Sequence, residues 1–169
     1  VIAVDVADKK LLGSLKEEFG DNIDLCIDHH ISNTKFAKNL YLDDDAAAAA
    51  ECIYDLIAQM RVNLNDITAK AIYTGLATDT GCFKYSNVTD ETHIIASKIV
   101  KKHIDYAEIN RLIFDTKTVG EIAAQRITYQ NMRLEADGKL ALITFTNQMK
   151  ADNNLSEEDI GDVVNCVRQ

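Results

Sequence analysis

Residues 25–33 read LCIDHHISN, and this stretch decides how we expect the chain to fold. The apolar residues before Asp28 predict a short buried β-strand that ends at this aspartate. His29 and His30 follow the predicted strand directly, although the whole chain contains only four histidines. An acid and two imidazoles at the end of a buried strand indicate a functional site.

The residues before this stretch complete a unit of strand, helix and strand. VIAVDVAD (1–8) is an apolar, β-branched run that predicts a buried strand whose last residue is Asp5. KKLLGSLKEEFG (9–20) predicts a helix with four apolar residues on one face: Leu11, Leu12, Leu15 and Phe19. NIDLCID (22–28) is the second strand. A unit of strand, helix and strand predicts two parallel strands in one sheet, joined by a right-handed crossover.

The rest of the chain predicts one helix-rich domain and the start of another. Apolar periodicity and acidic helix starts predict helices over 43–60, 64–81, 89–103 and 105–114. We therefore predict an α/β fold: a parallel sheet with flanking helices over residues 1–115, a connecting helix over 116–134, and the beginning of a second α/β domain over 135–169. In this last part a β-hairpin is expected to turn at Asp137–Gly138, and Ser156 is expected to cap a final helix.

The composition excludes several classes of function. The 169 residues carry a formal net charge of -9, which disfavours binding to long nucleic acid because that requires many lysines and arginines to neutralise phosphates. No apolar run is long enough to cross a membrane. The four cysteines form no CxxC pair. They are expected to be buried free thiols, which predicts a reducing, cytoplasmic location.

Three aspartates lie where a strand or a helix is predicted to end: Asp5, Asp28 and Asp79, the last within TDTG (78–81). Ligands bind outside the carboxyl ends of the strands in open parallel sheets, so we expect these side chains to share one edge. Clustered carboxylates repel one another unless a cation neutralises them. Together with an imidazole they form a ligand set for Mn²⁺ or Mg²⁺.

These motifs resemble those of the DHH phosphoesterases, a family named after the Asp-His-His triplet that stands here at residues 28–30. VDVAD (4–8) is similar to the preceding aspartate segment of the family, and GLATDTGCFKYSN (75–87) is similar to its later one. The order and spacing of the three segments fit, and the resemblance extends over nearly the whole chain.

The resemblance implies a role for each site residue. Asp5 is expected to bridge two Mn²⁺ (or Mg²⁺) ions, and His29 and Asp79 are expected to bind one of them. Asp28 is expected to orient His29 through its ring N–H. His30 is expected to face the substrate phosphate, so that His30 and Asp28 are the catalytic residues beside the metal ligands.

The activity implied is hydrolysis of phosphoester bonds by a water that two metal ions activate. The chain looks most like bacterial phosphodiesterases that degrade very short oligoribonucleotides and dephosphorylate phosphoadenosine phosphate. A short oligonucleotide or a small nucleotide is therefore the expected substrate, with His30 in contact with it. Asn33 either contacts phosphate as well or organises the loop after the triplet. Two alternatives stay open: hydrolysis of cyclic dinucleotides, and a regulatory module that kept the fold and lost catalysis.

The chain also departs from the family pattern. The first motif of the family, HxxPDGDA, is absent from a chain without proline, and so is the glycine-rich GGGH segment. Residues 135–169 look like only the beginning of the DHH-associated domain. We therefore expect the full-length protein to be an enzyme and this chain alone to have little or no activity. A sheet edge without its neighbouring strand is prone to association, which leaves a homodimer open.

Overall fold

The structure is a computed structural model that describes residues 1–161 and 163–167. It divides into two compact units, Val1–Phe114 and Asp115–Gln169. All the residues that the sequence assigns to the site belong to the first unit.

The first unit contains a parallel sheet of three strands in the order β1-β2-β3. The strands are β1 Ile2–Val4, β2 Leu25–Asp28 and β3 Asn39–Leu42. The predicted α/β class with a parallel sheet and flanking helices is confirmed. The sequence did not predict β3, because NLYL offers only four residues without clear alternation. It also expected β1 to be buried, whereas β1 is the edge strand and Ile2 and Val4 are exposed.

The helix predicted over 9–20 is wrong. A 3₁₀ segment spans Lys9–Leu15, and a single α-helical turn, α1, spans Lys16–Phe19. Gly13 interrupts the segment with a φ of +56°, a left-handed conformation that only glycine adopts without strain. Leu11 and Leu15 are consequently exposed, so only Leu12 and Phe19 of the predicted apolar face are partly buried.

Four further helices complete the first unit: α2 Ala49–Gln59, α3 Asp66–Asp79, α4 Asp90–Val100 and α5 Tyr106–Asn110. The start of α4 carries a capping box, because the side chains of Thr89 and Thr92 each accept the backbone N–H of the other residue. One turn of π-helix, Arg111–Asp115, follows α5. In the described part of the chain, no helix has the length and apolar character to cross a membrane.

Two groups of buried side chains hold the first unit together. The larger joins α2, α3 and α4, and Leu76, Ile95 and Ile99 are fully buried in it. The smaller packs Ala3 of β1 and Cys26 of β2 against neighbouring loops. Burying one large aliphatic side chain stabilises a fold by about 1.5–3 kcal/mol. These contacts fix the strand ends and the end of α3, where the candidate site lies.

The second unit contains short elements: α6 Val119–Asn131, β4 Arg133–Glu135, β5 Leu140–Leu142 and α7 Asn147–Asp152. The antiparallel pairing of β4 with β5 confirms the predicted hairpin. The predicted capping role of Ser156 is confirmed, because its hydroxyl accepts the backbone N–H of Asp159. The predicted helix is not formed: the described residues form two 3₁₀ turns, Glu158–Ile160 and Asn165–Val167. Gly161 between these turns and the β-branched valines after it disfavour a continuous helix.

The cysteines agree with their prediction. All four are free thiols; Cys26, Cys52 and Cys166 are buried, and Cys82 is partly buried. Burial raises the pKa of the Cys52 thiol to about 11, so this group is an uncharged part of the core.

Candidate active site

The carboxyl ends of β1 and β2 lie side by side. Val4 stands opposite Ile27, and the next residue, Asp5, donates its backbone N–H to the Ile27 carbonyl at 2.9 Å. Asp5 has a φ of +60°, which is uncommon for a residue other than glycine but is tolerated best by Asn and Asp. Such conformations cluster at active sites. The register places Asp5 and the Asp28-His29-His30 run at one edge of the sheet.

The other two predicted metal ligands, Asp5 and Asp79, both lie close to His29. Its Nε2 atom lies 3.4 Å from Asp5 Oδ1 and 3.6 Å from Asp79 Oδ2. The three residues come from the end of β1, the end of β2 and the last residue of α3. The structure therefore brings together positions 5, 29 and 79, and we call these three side chains the carboxylate face.

The opposite side of the His29 ring determines its tautomer. Nδ1 lies 3.0 Å from the backbone carbonyl oxygen of Ala46. A carbonyl oxygen can only accept a hydrogen bond, so Nδ1 carries the proton. When His29 is neutral, its Nε2 atom then presents a lone pair to the carboxylates of Asp5 and Asp79. A histidine that binds a metal through one ring nitrogen usually donates the other N–H in this manner.

The expected role of Asp28 needs a correction. Its carboxylate accepts a hydrogen bond from Nδ1 of His30 at 2.8 Å, and it does not orient His29. Nδ1 of His29 lies against the Ala46 carbonyl instead, and the two histidine rings lie close together, with their centroids 4.4 Å apart. Asn33 donates its amide to Asp28 at 2.6 Å. We call Asp28, His30 and Asn33 the Asp28 network.

The Asp28 carboxylate is ionised although it is fully buried. Burial alone would raise its pKa, but hydrogen bonds from Asn33, from the His30 ring and from the His29 backbone outweigh this effect and hold the pKa below its usual value. The hydrogen bond to Asp28 in turn raises the pKa of His30, against the opposing effect of burial. The charges of Asp5 and Asp79 add to the increase. His30 therefore favours the protonated state, and 44% of its side chain is exposed.

The substrate contact expected of Asn33 also needs a correction. Asn33 is buried, and its amide nitrogen donates to Asp28 and to the Val6 carbonyl. Its side-chain oxygen accepts the backbone N–H of Lys35 at 2.7 Å. The amide nitrogen and the amide oxygen of Asn33 therefore both have hydrogen-bond partners inside the protein. Of the two roles that the sequence left open, the structure supports the one in which Asn33 organises the loop.

Asp79 is held by an unusual turn at the end of α3. Thr80 is fully buried, and its hydroxyl accepts the backbone N–H of Phe83 at 3.0 Å. Gly81, Cys82 and Phe83 all have a φ between +55° and +63°. Burial raises the pKa of the Asp79 carboxyl, and the nearby charge of Asp5 raises it further, whereas the two histidines lower it. A cation at the carboxylate face would relieve this repulsion.

The donor atoms suit a divalent cation. Oxygen ligands bind Mg²⁺ at about 2.0–2.1 Å, so neighbouring and opposite donors stand about 3–4 Å apart. The separations of 3.4 and 3.6 Å around His29 Nε2 lie in this range. One ligand atom each from Asp5, His29 and His30 also lie within 4.8 Å of one another. His30 reaches the group through Nδ1, 3.7 Å from Asp5 Oδ1, but this nitrogen already donates to Asp28.

Some residues of the site carried no signal in the sequence. Ala46 contributes only its backbone carbonyl, which every residue possesses. Asn87 donates its side-chain amide to the backbone carbonyls of Ala47 and Asp79. Its position at the end of the segment 75–87 was the only available hint.

Two curated bacterial proteins resemble the chain over most of its length. It is 30% identical over 153 residues to the probable bifunctional oligoribonuclease and PAP phosphatase NrnA of Streptococcus mutans, covering 90% of this chain and 49% of that protein. It is 26% identical over 141 residues to the bifunctional oligoribonuclease and PAP phosphatase NrnA of Bacillus subtilis, covering 82% and 44%. The chain thus spans about half the length of these relatives.

A solved structure has the same fold. The crystal structure of an exopolyphosphatase-related protein from Bacteroides fragilis superposes with a TM-score of 0.89 and 24% identity, covering 99% of this chain and 51% of that one. None of the protein-family profiles matches the chain.

Proposed function

The chain belongs to the DHH family of phosphoesterases, and from this premise we propose that the protein hydrolyses phosphoester bonds of short oligoribonucleotides and small phosphorylated nucleotides. We propose Mn²⁺ or Mg²⁺ as the cofactor, with Asp5, His29 and Asp79 as ligands. The curated relatives are named for activity on oligoribonucleotides and PAP.

The observation that carries the proposal is the convergence on His29 Nε2. Two carboxylates from distant parts of the sequence lie within 3.6 Å of an imidazole nitrogen whose lone pair faces them. Without a cation, this arrangement costs free energy through repulsion between Asp5 and Asp79. A divalent cation supplies positive charge that neutralises the phosphate and favours the attack of water on phosphorus.

The Asp28 network supplies the second requirement of phosphoester hydrolysis. Asp28 fixes the proton on His30 Nδ1, and this hydrogen bond raises the pKa of His30, which stabilises the positively charged form of the ring. Nε2–H of this ring is then available to donate to a phosphate oxygen. A fixed positive donor stabilises the charge that develops in the transition state.

The test combines metal binding with turnover. Full-length protein is titrated with Mn²⁺, and free Mn²⁺ is followed by electron paramagnetic resonance. The protein is then incubated with a dinucleotide, phosphoadenosine phosphate, a cyclic dinucleotide and pyrophosphate. We expect Mn²⁺-dependent hydrolysis of the first two. Preference for the cyclic dinucleotide would replace the substrate assignment, and an Asp79→Asn variant with unchanged Mn²⁺ affinity would disprove the ligand set.

We also propose a cytoplasmic location. The four free cysteines support it, because reducing compartments keep thiols unpaired.

A further inference from the structure

Asn87 connects the two segments that position His29 and Asp79. Its amide nitrogen donates to the Ala47 carbonyl at 3.0 Å and to the Asp79 carbonyl at 3.2 Å. Ala47 lies next to Ala46, whose carbonyl holds the His29 ring. One side-chain nitrogen therefore links the backbone that orients one predicted ligand to the backbone that carries another.

The segment before α2 needs this support because its own side chains provide none. Residues 46–50 are all alanine, and Ala48 at the start of α2 makes no side-chain capping bond. The Ala47 backbone is held from outside instead. Its amide bonds the buried Glu51 carboxylate, and its carbonyl accepts from Asn87.

The end of α3 also needs hydrogen-bond donors from outside the helix. The last carbonyls of a helix lack partners within the helix and must find them elsewhere. Asp79 is the last residue of α3, and Asn87 donates to its carbonyl after the left-handed turn at residues 81–83. Fixing this carbonyl fixes the backbone from which the Asp79 side chain extends.

We propose that Asn87 is a positioning residue that sets the separation between His29 and Asp79 at the predicted cation site. This inference rests on the proposed function for its chemical meaning. Asn87 lies at the surface, where its replacement leaves no cavity in the core. Its loss is therefore expected to loosen the site and not to unfold the protein.

The experiment uses full-length protein with Asn87→Asp, which keeps the shape of the side chain and replaces the donor with an acceptor, and with Asn87→Ala. The matched control is Asn39→Asp. Asn39 is an exposed asparagine that donates to the Asp24 carbonyl at 2.9 Å, at the opposite end of the strands.

Two readouts separate positioning from stability. The ring ¹⁵N signals of His29, measured in metal-free protein, report how firmly the proton stays on Nδ1. Mn²⁺ affinity is measured by electron paramagnetic resonance, and urea unfolding is recorded in parallel. For both Asn87 variants we expect a shift of the His29 signals and an affinity loss of about 10-fold, the lower end for a partner beyond the ligands. Asn39→Asp is expected to change neither.

The outcomes are distinguishable. Unchanged His29 signals in both Asn87 variants would overturn the inference. It would also be overturned if the loss of Mn²⁺ binding free energy were equal to the loss in the free energy of unfolding. If wild-type protein binds no Mn²⁺, the proposed function fails, and the His29 signals still decide whether Asn87 positions the ring.

Discussion

The carboxylate face and the Asp28 network differ although they begin at adjacent histidines. His29 donates to a neutral backbone carbonyl and turns its other nitrogen toward two carboxylates. His30 donates to a buried, ionised carboxylate and remains half exposed. The difference comes from the partner of each Nδ1 atom, which is the Ala46 carbonyl for His29 and the Asp28 carboxylate for His30. One residue type thereby acquires two environments: the Nε2 atom of His29 faces two carboxylates, and the Nδ1 atom of His30 donates to a buried one.

The largest expected effect comes from replacing each of the two histidines with alanine in turn. His29→Ala removes a ligand, so we expect Mn²⁺ affinity to fall by at least about 100-fold, the upper end of the loss from removing a partner beyond the ligands. His30→Ala is expected to change affinity by no more than a few-fold and to lower kcat by about 10²–10³, as loss of a charge-stabilising donor does. Mn²⁺ titration and steady-state kinetics of full-length protein measure both. An equal affinity loss in the two variants would show that His30 is also a ligand.

The sequence predicted the parts of this arrangement that depend on local pattern. The apolar runs ending in Asp5 and Asp28 located two strand ends, and the acidic start of the segment 89–103 located α4. The TDTG segment located Asp79. Each of these signals depends on neighbours within a few residues, which propensity and capping govern.

The remaining parts depend on contacts that local pattern does not encode. The partner of His29 is a carbonyl 17 positions away. The partner of Asp28 is His30 and not the adjacent His29, a choice that the triplet itself does not encode. The break at Gly13 depends on a backbone angle that the apolar spacing of residues 9–20 conceals.

The next effect tests the Asp28 network. Asp28→Asn removes the charge and leaves the donors of His30 and Asn33 without an adequate acceptor. Each unsatisfied buried group costs about 1–3 kcal/mol. We expect urea unfolding to show this loss, and an NMR pH titration to show the pKa of His30 falling toward its ordinary value. Asp24→Asn is the control: Asp24 is exposed and bonds Lys38 at the surface. If the titration of His30 is unchanged in Asp28→Asn, Asp28 does not control the charge of that ring.

Asn33 gives a smaller effect that distinguishes an organising role from substrate contact. Asn33→Ala removes the donor to Asp28 and the acceptor for Lys35. We expect a loss of about 1–2 kcal/mol in the free energy of unfolding, because charge-assisted hydrogen bonds are worth about this much. KM for a dinucleotide is expected to stay unchanged. Full stability with a raised KM would restore the substrate contact that the sequence left open.

The smallest effect compares Asp28 with a second buried carboxylate, Glu51. Burial raises the pKa of Glu51, and the hydrogen bonds from Thr92 (2.6 Å) and from the Ala47 backbone only partly offset it. Asp28 has more donors, and its pKa is lowered. The Asp28 pKa is lowered by its hydrogen bonds and by the charge of His30, whereas the carboxylates of Asp43 and Glu91 add to the effect of burial on Glu51.

The sign of the pH dependence follows from this contrast. Because folding raises the pKa of Glu51, its contribution to stability is fully present below the ordinary carboxyl pKa and is lost as pH rises through the raised pKa. Glu51→Gln removes this titration and keeps an acceptor for Thr92. The unfolding free energy of Glu51→Gln minus that of wild type should therefore increase with pH across this window, by about 1.4 kcal/mol for each unit of pKa shift. Urea unfolding at several pH values measures it, with Glu17→Gln, an exposed site, as the control. A flat difference would mean that the protein stabilises the Glu51 charge as fully as it stabilises that of Asp28.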